Sequence, residues 1–144
     1  MIYLDTSVVV PLFVPETTSS RARSWFDRLD HRWTKDLALS AWALTEFTSA
    51  MGIKVRNREI TRSQGETARA LLEDALLPNM TVVEVTPTDF RLAETLLREF
   101  PLGLRAGDAL HLATASRCAV QQFVSLDRKL CNVAQALGLP VMAI

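Results

Sequence analysis

Four carboxylates stand out, two closing short apolar stretches and two inside apolar runs where an ionised group finds little to pair with. Asp5 closes the apolar stretch Ile2-Tyr3-Leu4, and Asp127 follows another, Phe123-Val124-Ser125. Glu46 is embedded in Ala41-Trp42-Ala43-Leu44-Thr45-Glu46-Phe47, and Asp108 opens the run Ala109-Leu110-His111-Leu112-Ala113. An unpaired buried charge is costly, and few basic residues lie close in sequence. Gathered in one pocket, the four would repel one another and raise their own pKa values unless cations were bound. Hard divalent ions meet that demand, because Mg²⁺ takes oxygen ligands, keeps waters and bridges to phosphate oxygens. Such a site activates water for in-line displacement at phosphorus. Asp5, Glu46, Asp108 and Asp127 therefore suggest phosphodiester hydrolysis. Each also has a plain structural reading: a turn residue for Asp5, a solvent-facing position for Glu46, a first-turn acid for Asp108 and an N-cap for Asp127. Only their joint placement points to chemistry.

Neighbouring residues offer support of the same two kinds. Thr6 lies beside Asp5, and Ser125, two residues before Asp127, shares its face of an extended strand. Ser125 either bonds water or phosphate at such a site or satisfies local backbone. Arg105, three residues before Asp108, either orients that carboxylate and touches substrate or is a solvated first-turn arginine. His111 reads as a packed, hydrogen-bonded histidine, since activated water needs no second base. Lys54, Arg56, Arg58, Arg62 and Arg69 stand against Glu59 and Glu66, five cations to two carboxylates and a net +3. That stretch is either an RNA-backbone contact or a solvated surface. Trp25, Trp33 and Trp42 read as core or dimer-interface aromatics.

The elements that must position these groups alternate. Strands are expected at Ile2–Leu4, Trp33–Leu39, Thr81–Val85, Gln122–Ser125 and Val141–Ile144. The run Pro11–Pro15 reads as irregular. Helices are expected from Thr17–Ser20 to Leu29, over Ala41–Gly52 with Ser40 as cap, and over Thr61–Leu77. Three more follow: one starting at Thr88 or Asp89 with Phe90, Ala93, Leu96, Leu97 and Phe100 on one face, then Arg105–Cys118 and Asp127–Leu137. Strands alternating with helices imply parallel crossovers and a three-layer α/β/α sandwich with a parallel, about five-stranded sheet, in which functional groups gather at the carboxyl ends of the strands.

The 144 residues suit one domain, and 49% apolar with 22% charged is the composition of an ordinary folded chain. Sixteen basic and sixteen acidic residues leave no net charge, so nucleic-acid binding must rest on local patches. Cys118 and Cys131 read as small buried thiols of a reduced, cytoplasmic protein. No basic leader precedes the first strand and no apolar run approaches a membrane span.

Ile2-Tyr3-Leu4-Asp5-Thr6-Ser7 resembles the opening strand of PIN domains. Leu39-Ser40 through Thr45-Glu46-Phe47 is similar to the family's second motif. Gly107-Asp108-Ala109-Leu110-His111-Leu112-Ala113-Thr114-Ala115 resembles the third as VapC-like toxins carry it, and Phe123-Val124-Ser125-Leu126-Asp127-Arg128-Lys129-Leu130 the fourth, so that residues 1–144 read as a single PIN-like domain. The resemblance implies a Mg²⁺- or Mn²⁺-dependent endoribonuclease, the toxin of a toxin–antitoxin pair. It also implies a homodimer and an antitoxin whose tail reaches the site along a groove between the helix of Trp42 and apolar surface near Trp25. The fourth acidic position varies in the family, so Asp127 either ligates metal or acts through water. Residues 54–64 fall in a variable region. Two rivals stand beside this reading. One is an aspartyl phosphatase, disfavoured because Ser7 occupies the position of its second aspartate. The other is a PIN-like scaffold that binds RNA or a partner without catalysis.

Overall fold

The computed structural model describes residues 1–29 and 36–144; Trp33 and the first part of the strand expected over Trp33–Leu39 lie outside them. Five short strands, β1 (Ile2–Leu4), β2 (Leu37–Ser40), β3 (Thr81–Val83), β4 (Gln122–Ser125) and β5 (Val141–Ala143), pair in parallel in the order β3-β2-β1-β4-β5. The chain builds outward from β1 in one direction through β2 and β3. It then returns to the other side of β1 for β4 and β5. The order thus reverses between β1 and β4, and in open parallel sheets the cleft beyond such a reversal is where ligands sit. Asp5 follows β1 there and Ser125 ends β4, with the Asp5 amide donating to the Val124 carbonyl at 3.1 Å.

Alternation along the strands feeds two cores. Ile2 and Leu4 point to one face and Tyr3 to the other. The first face is covered by α1 (Thr6–Phe13), α2 (Ser19–Asp27), α3 (Ala41–Arg56) and α4 (Arg62–Leu71). The second is covered by α5 (Pro87–Arg98), α6 (Ala106–Arg117) and α7 (Arg128–Ala136). The three-layer α/β/α sandwich expected from the sequence is the observed architecture.

Several elements depart from expectation for identifiable reasons. α1 is a helix although none is expected between Asp5 and Thr17, and it includes Val8-Val9-Val10-Pro11. Burial of all four residues overrides their weak helix propensity, and the chain leaves the helix two residues after Pro11. α3 runs past Gly52, since Met51 is buried and Val55 packs on the core beyond it. Its true stop is Arg58 at φ 61, with Glu59 N–H bonding Lys54 O and Arg58 N–H bonding Val55 O. The helix expected to Leu77 passes instead into a π-helical turn, Leu72–Leu76, and a 3₁₀ turn, Leu77–Asn79. α5 is capped by Thr86, not Thr88, with Pro87 and Asp89 completing its first turn. Its inner face is Asp89, Ala93 and Leu96, so Phe90 is 56% exposed; Phe100 lies beyond the helix and is 84% exposed. Cys118 and Cys131 are free and half-buried rather than buried.

Candidate active site

β1 delivers Asp5 into a nearly solvent-free position at the head of α1, with only 4% of its surface exposed. Both of its oxygens are taken by short side chains. Ser7 Oγ donates to Oδ1 at 2.6 Å, and Ser125 Oγ donates to Oδ2 at 2.9 Å. The two serines are wired onward, for the Leu126 amide donates to Ser7 Oγ and the Asp127 amide to Ser125 Oγ, each at 2.9 Å. Burial pushes the Asp5 carboxyl up, and the positive field of His111 together with the serine hydroxyls only partly opposes it.

Glu46 faces the same space from α3. Ser40 accepts the Ala43 amide and sets the start of that helix, which places Glu46 on its inward side and not in solvent. Thr6 Oγ1 donates to Glu46 Oε2 at 2.5 Å, and His111 Nε2 donates to the same oxygen at 2.7 Å. A carboxylate only accepts, so Nε2 carries a proton, and Nδ1 shares a hydrogen bond with Tyr3 OH at 2.8 Å. Burial raises the Glu46 carboxyl, but the bond and charge of His111, then Thr6 and Trp42, outweigh it and hold the group below its usual range. The buried Trp42 Nε1–H faces this carboxylate without a fully formed hydrogen bond.

Asp108 sits in the first turn of α6, where its Oδ2 accepts the backbone N–H of Arg105 at 3.2 Å. Arg105 is therefore the N-cap residue, and it is exposed. Asp127 caps α7, with Oδ1 accepting the amides of Lys129 at 2.8 Å and Leu130 at 3.1 Å. The plain cap reading of Asp127 is observed, and the residue still reaches the shared space.

Asp5, Glu46, Asp108 and Asp127 all line one cavity of about 440 Å³, together with Thr6, Ser7, Trp42, Thr45, Ser49, Ala50, Ile53 and His111. No arginine or lysine is among its described lining residues. The donors are hard oxygens in excess negative charge, a set that fits Mg²⁺ or Mn²⁺. Among the described residues no three acidic, histidine or cysteine side chains close on a common point by themselves. A bound ion would thus keep much of its water, as Mg²⁺ commonly does. Ser7, at the position of the phosphatase's second aspartate, is engaged in bonding Asp5, which also speaks against that alternative.

A protein-family model described as PIN domain matches residues 2–136. The chain belongs to the PIN-domain family. Among PIN-type relatives, it is 30% identical over 142 residues to Ribonuclease VapC47 of Mycobacterium tuberculosis strain CDC 1551 / Oshkosh, covering 96% of this chain and 93% of that one. The fold is shared with FitAcB from Neisseria gonorrhoeae at a TM-score of 0.73 and 19% identity, covering 99% and 96% of the two chains. It is shared too with the sarcin–ricin loop-cleaving toxin VapC20 of M. tuberculosis, at a TM-score of 0.72 and 19% identity over 96% of each.

Sequence does not mark Ser7 and Trp42, which line this PIN-type pocket, or Tyr3 and Gly107, which stand behind it against His111 and Glu46, as site residues. His111 was read correctly as packed and hydrogen-bonded, and is 2% exposed. What sequence did not show is that its partner is Glu46. The spacing Gly107–His111, one helical turn, was the available signal.

The basic stretch is less free than its composition suggests. Lys54 pairs with Glu16 at 2.7 Å and with Glu59 at 3.1 Å, Arg62 with Glu66 at 2.8 Å, and Arg69 with Glu73 at 2.6 Å. Among the described residues, Arg56 and Arg58 have no acidic partner and are exposed. Trp25 is buried against Met142, so the apolar surface on its side is formed by other residues. A separate cavity of about 520 Å³, sharing no lining residue with the acidic one, is lined by Leu12, Phe13, Phe26, Leu37, Leu76 and Met80 among others.

Proposed function

We propose that this chain is a divalent-metal-dependent endoribonuclease, acting as the toxin of a toxin–antitoxin pair. The observation that carries the reading is the gathering of Asp5, Glu46, Asp108 and Asp127 around one cavity with no arginine or lysine among its described lining residues. Kinship with a relative named as a ribonuclease supports it. When bound there, Mg²⁺ or Mn²⁺ supplies Lewis acidity toward the phosphate and the attacking water. Asp5, Glu46 and Asp108 would hold the ion, in part through its retained water. Asp127, with Oδ1 committed to its cap, shapes the site through Oδ2 and bound water. Thr6, Ser7 and Ser125 fix the carboxylates, so that little rearrangement accompanies substrate binding.

RNA is held outside this acidic pocket, with Arg56 and Arg58 as the free phosphate contacts and Lys54 and Arg62 as weaker ones because of their ion pairs. In this reading the protein works as a cytoplasmic homodimer with a cognate antitoxin, as its likeness to a VapC-named ribonuclease suggests.

The test is cleavage of single-stranded and total RNA by purified protein with Mg²⁺ or Mn²⁺, with chelator, and with Asp5→Asn. Cleavage that needs metal and Asp5 supports the reading. Folded protein that binds RNA without cutting it under any of these conditions favours the scaffold alternative.

A further inference from the structure

Glu46 approaches α6 end-on, and two residues of α6 receive it. A Cβ on Gly107 would collide with Glu46 Oε1 and stand 3.2 Å from Trp42 Nε1, so the carboxylate occupies space that any other residue would fill. One turn further along, His111 Nε2 donates to the other oxygen, Oε2, at 2.7 Å. Residues four apart share a helix face, so the two make one feature: a gap followed by a donor. The donor is itself fixed. Tyr3 OH holds His111 Nδ1 at 2.8 Å, and the Tyr3 ring lies stacked on Phe123 with centroids 5.8 Å apart. The ring of His111 is thus locked from the core side before it meets Glu46.

We propose that Gly107 and His111 form a positioning notch for Glu46: the glycine admits its carboxylate between α3 and α6, and the histidine, oriented by Tyr3, fixes which oxygen is turned inward. The inference rests on the metal reading above, because it assigns the notch the task of presenting Glu46 to a divalent ion. His111 is a positioning residue acting through Glu46 and touches no reacting atom. Partners of this kind that orient ligands typically alter metal affinity by 10- to 100-fold.

The experiment is Mn²⁺ titration by calorimetry of the full-length metal-free protein, with melting temperature recorded for each variant. His111→Leu is expected to weaken Mn²⁺ binding about 10-fold, and His111→Gln, which keeps an N–H donor, to recover part of the loss. In a Glu46→Gln background, His111→Leu should cause no further loss, since its effect passes through Glu46. Gly107→Ala should weaken Mn²⁺ binding at least as much, although alanine is the better helix former. A general packing role would instead lower the melting temperature of His111→Leu while the folded protein bound Mn²⁺ normally, and that result overturns the notch. So does Mn²⁺ binding by Gly107→Ala at wild-type strength. Mn²⁺ binding that is lost in Glu46→Gln but intact in both notch variants removes this inference alone. If folded wild-type protein binds no Mn²⁺, the metal reading falls and the notch with it. Should His111→Leu fail to fold, Gly107→Ala and His111→Gln decide the question.

Discussion

Ser125 Oγ donates to Asp5 Oδ2 at 2.9 Å while accepting the backbone N–H of Asp127 at 2.9 Å. The pair bridges the carboxyl ends of β1 and β4, the two strands between which the sheet order reverses. One hydroxyl thus ties the most buried carboxylate of the pocket to the start of α7. Hydrogen bonding favours the ionised form of Asp5, yet desolvation is the larger effect. The pocket therefore holds a carboxylate that is costly to keep charged while no cation is bound.

Asp5→Asn should accordingly abolish RNA cleavage while raising the melting temperature of the metal-free protein by roughly a few degrees near neutral pH. The sign follows from linkage. Burial raises the Asp5 carboxyl in the folded chain, so its contribution to stability is fully present below the ordinary value of 3.8 and is lost as pH rises through the raised value. The advantage of asparagine should thus be greatest at neutral pH and shrink as the buffer is acidified. Thermal scans across pH check it, and a variant that melts many degrees early would make Asp5 a structural cap.

Asp89 predicts the opposite dependence away from the pocket. It is wholly buried and receives Arg117 Nε at 2.6 Å and Nη2 at 2.9 Å, while also closing the first turn of α5 on Thr86. Burial raises its carboxyl, but Arg117 and Thr86 outweigh that and hold it below its usual range. Its stabilisation is present above the ordinary aspartate value and is lost as pH falls through the lowered one. Asp89→Ala should cost about 3 kcal/mol, read by chemical denaturation, and leave Mn²⁺ binding by the folded protein unchanged.

The parts of this fold legible in sequence are those fixed locally. Ser40 before α3 and Asp127 before α7 are caps whose partners lie three residues or fewer away, and the β-branched and aromatic strand residues need no distant information. α1 was not legible, because three valines and Pro11 become helical only when the sheet buries them. The four carboxylates were legible as a set, since acids in apolar runs are conspicuous. The bonds that orient them were not: Thr6 and Glu46 are 40 residues apart, His111 and Tyr3 108. The pairing within the basic stretch was hidden for the same reason, with Lys54 bonded to Glu16, which sequence gives no cause to pair with it.

Those ion pairs rank the cations for RNA binding. Arg56→Glu with Arg58→Glu should lower the slope of log affinity against log salt by roughly two, about one per lost phosphate contact. Arg62→Glu alone should do less, because Arg62 already spends its charge on Glu66. Arg58 adds a separate readout, since it stands at positive φ where glycine is unstrained. Arg58→Gly should therefore stabilise the fold by about 0.5–1 kcal/mol while weakening RNA binding. An unchanged salt slope in the double reversal would mean that RNA tracks another face.

An acidic cavity with no arginine or lysine among its described lining residues is also a site for a cation delivered by another chain. Guanidinium pairs bidentately with carboxylates and competes with a divalent ion for them. An antitoxin that places an arginine among Asp5, Glu46 and Asp108 would need an apolar segment to anchor it. The 520 Å³ groove lined by Leu12, Phe26 and Met80 offers such a surface on the α1–α2 side. Expression of the chain alone should arrest growth, and the Asp5→Asn variant should not. Co-expression with the adjacent reading frame should restore growth and yield a complex that survives purification. Within that complex, replacing the antitoxin's arginines near its tail should restore Mn²⁺ binding to the pocket before it abolishes association, since the apolar anchor remains. Unimpeded growth at high levels of soluble wild-type protein, with total RNA intact in the presence of Mn²⁺, would remove the toxin assignment.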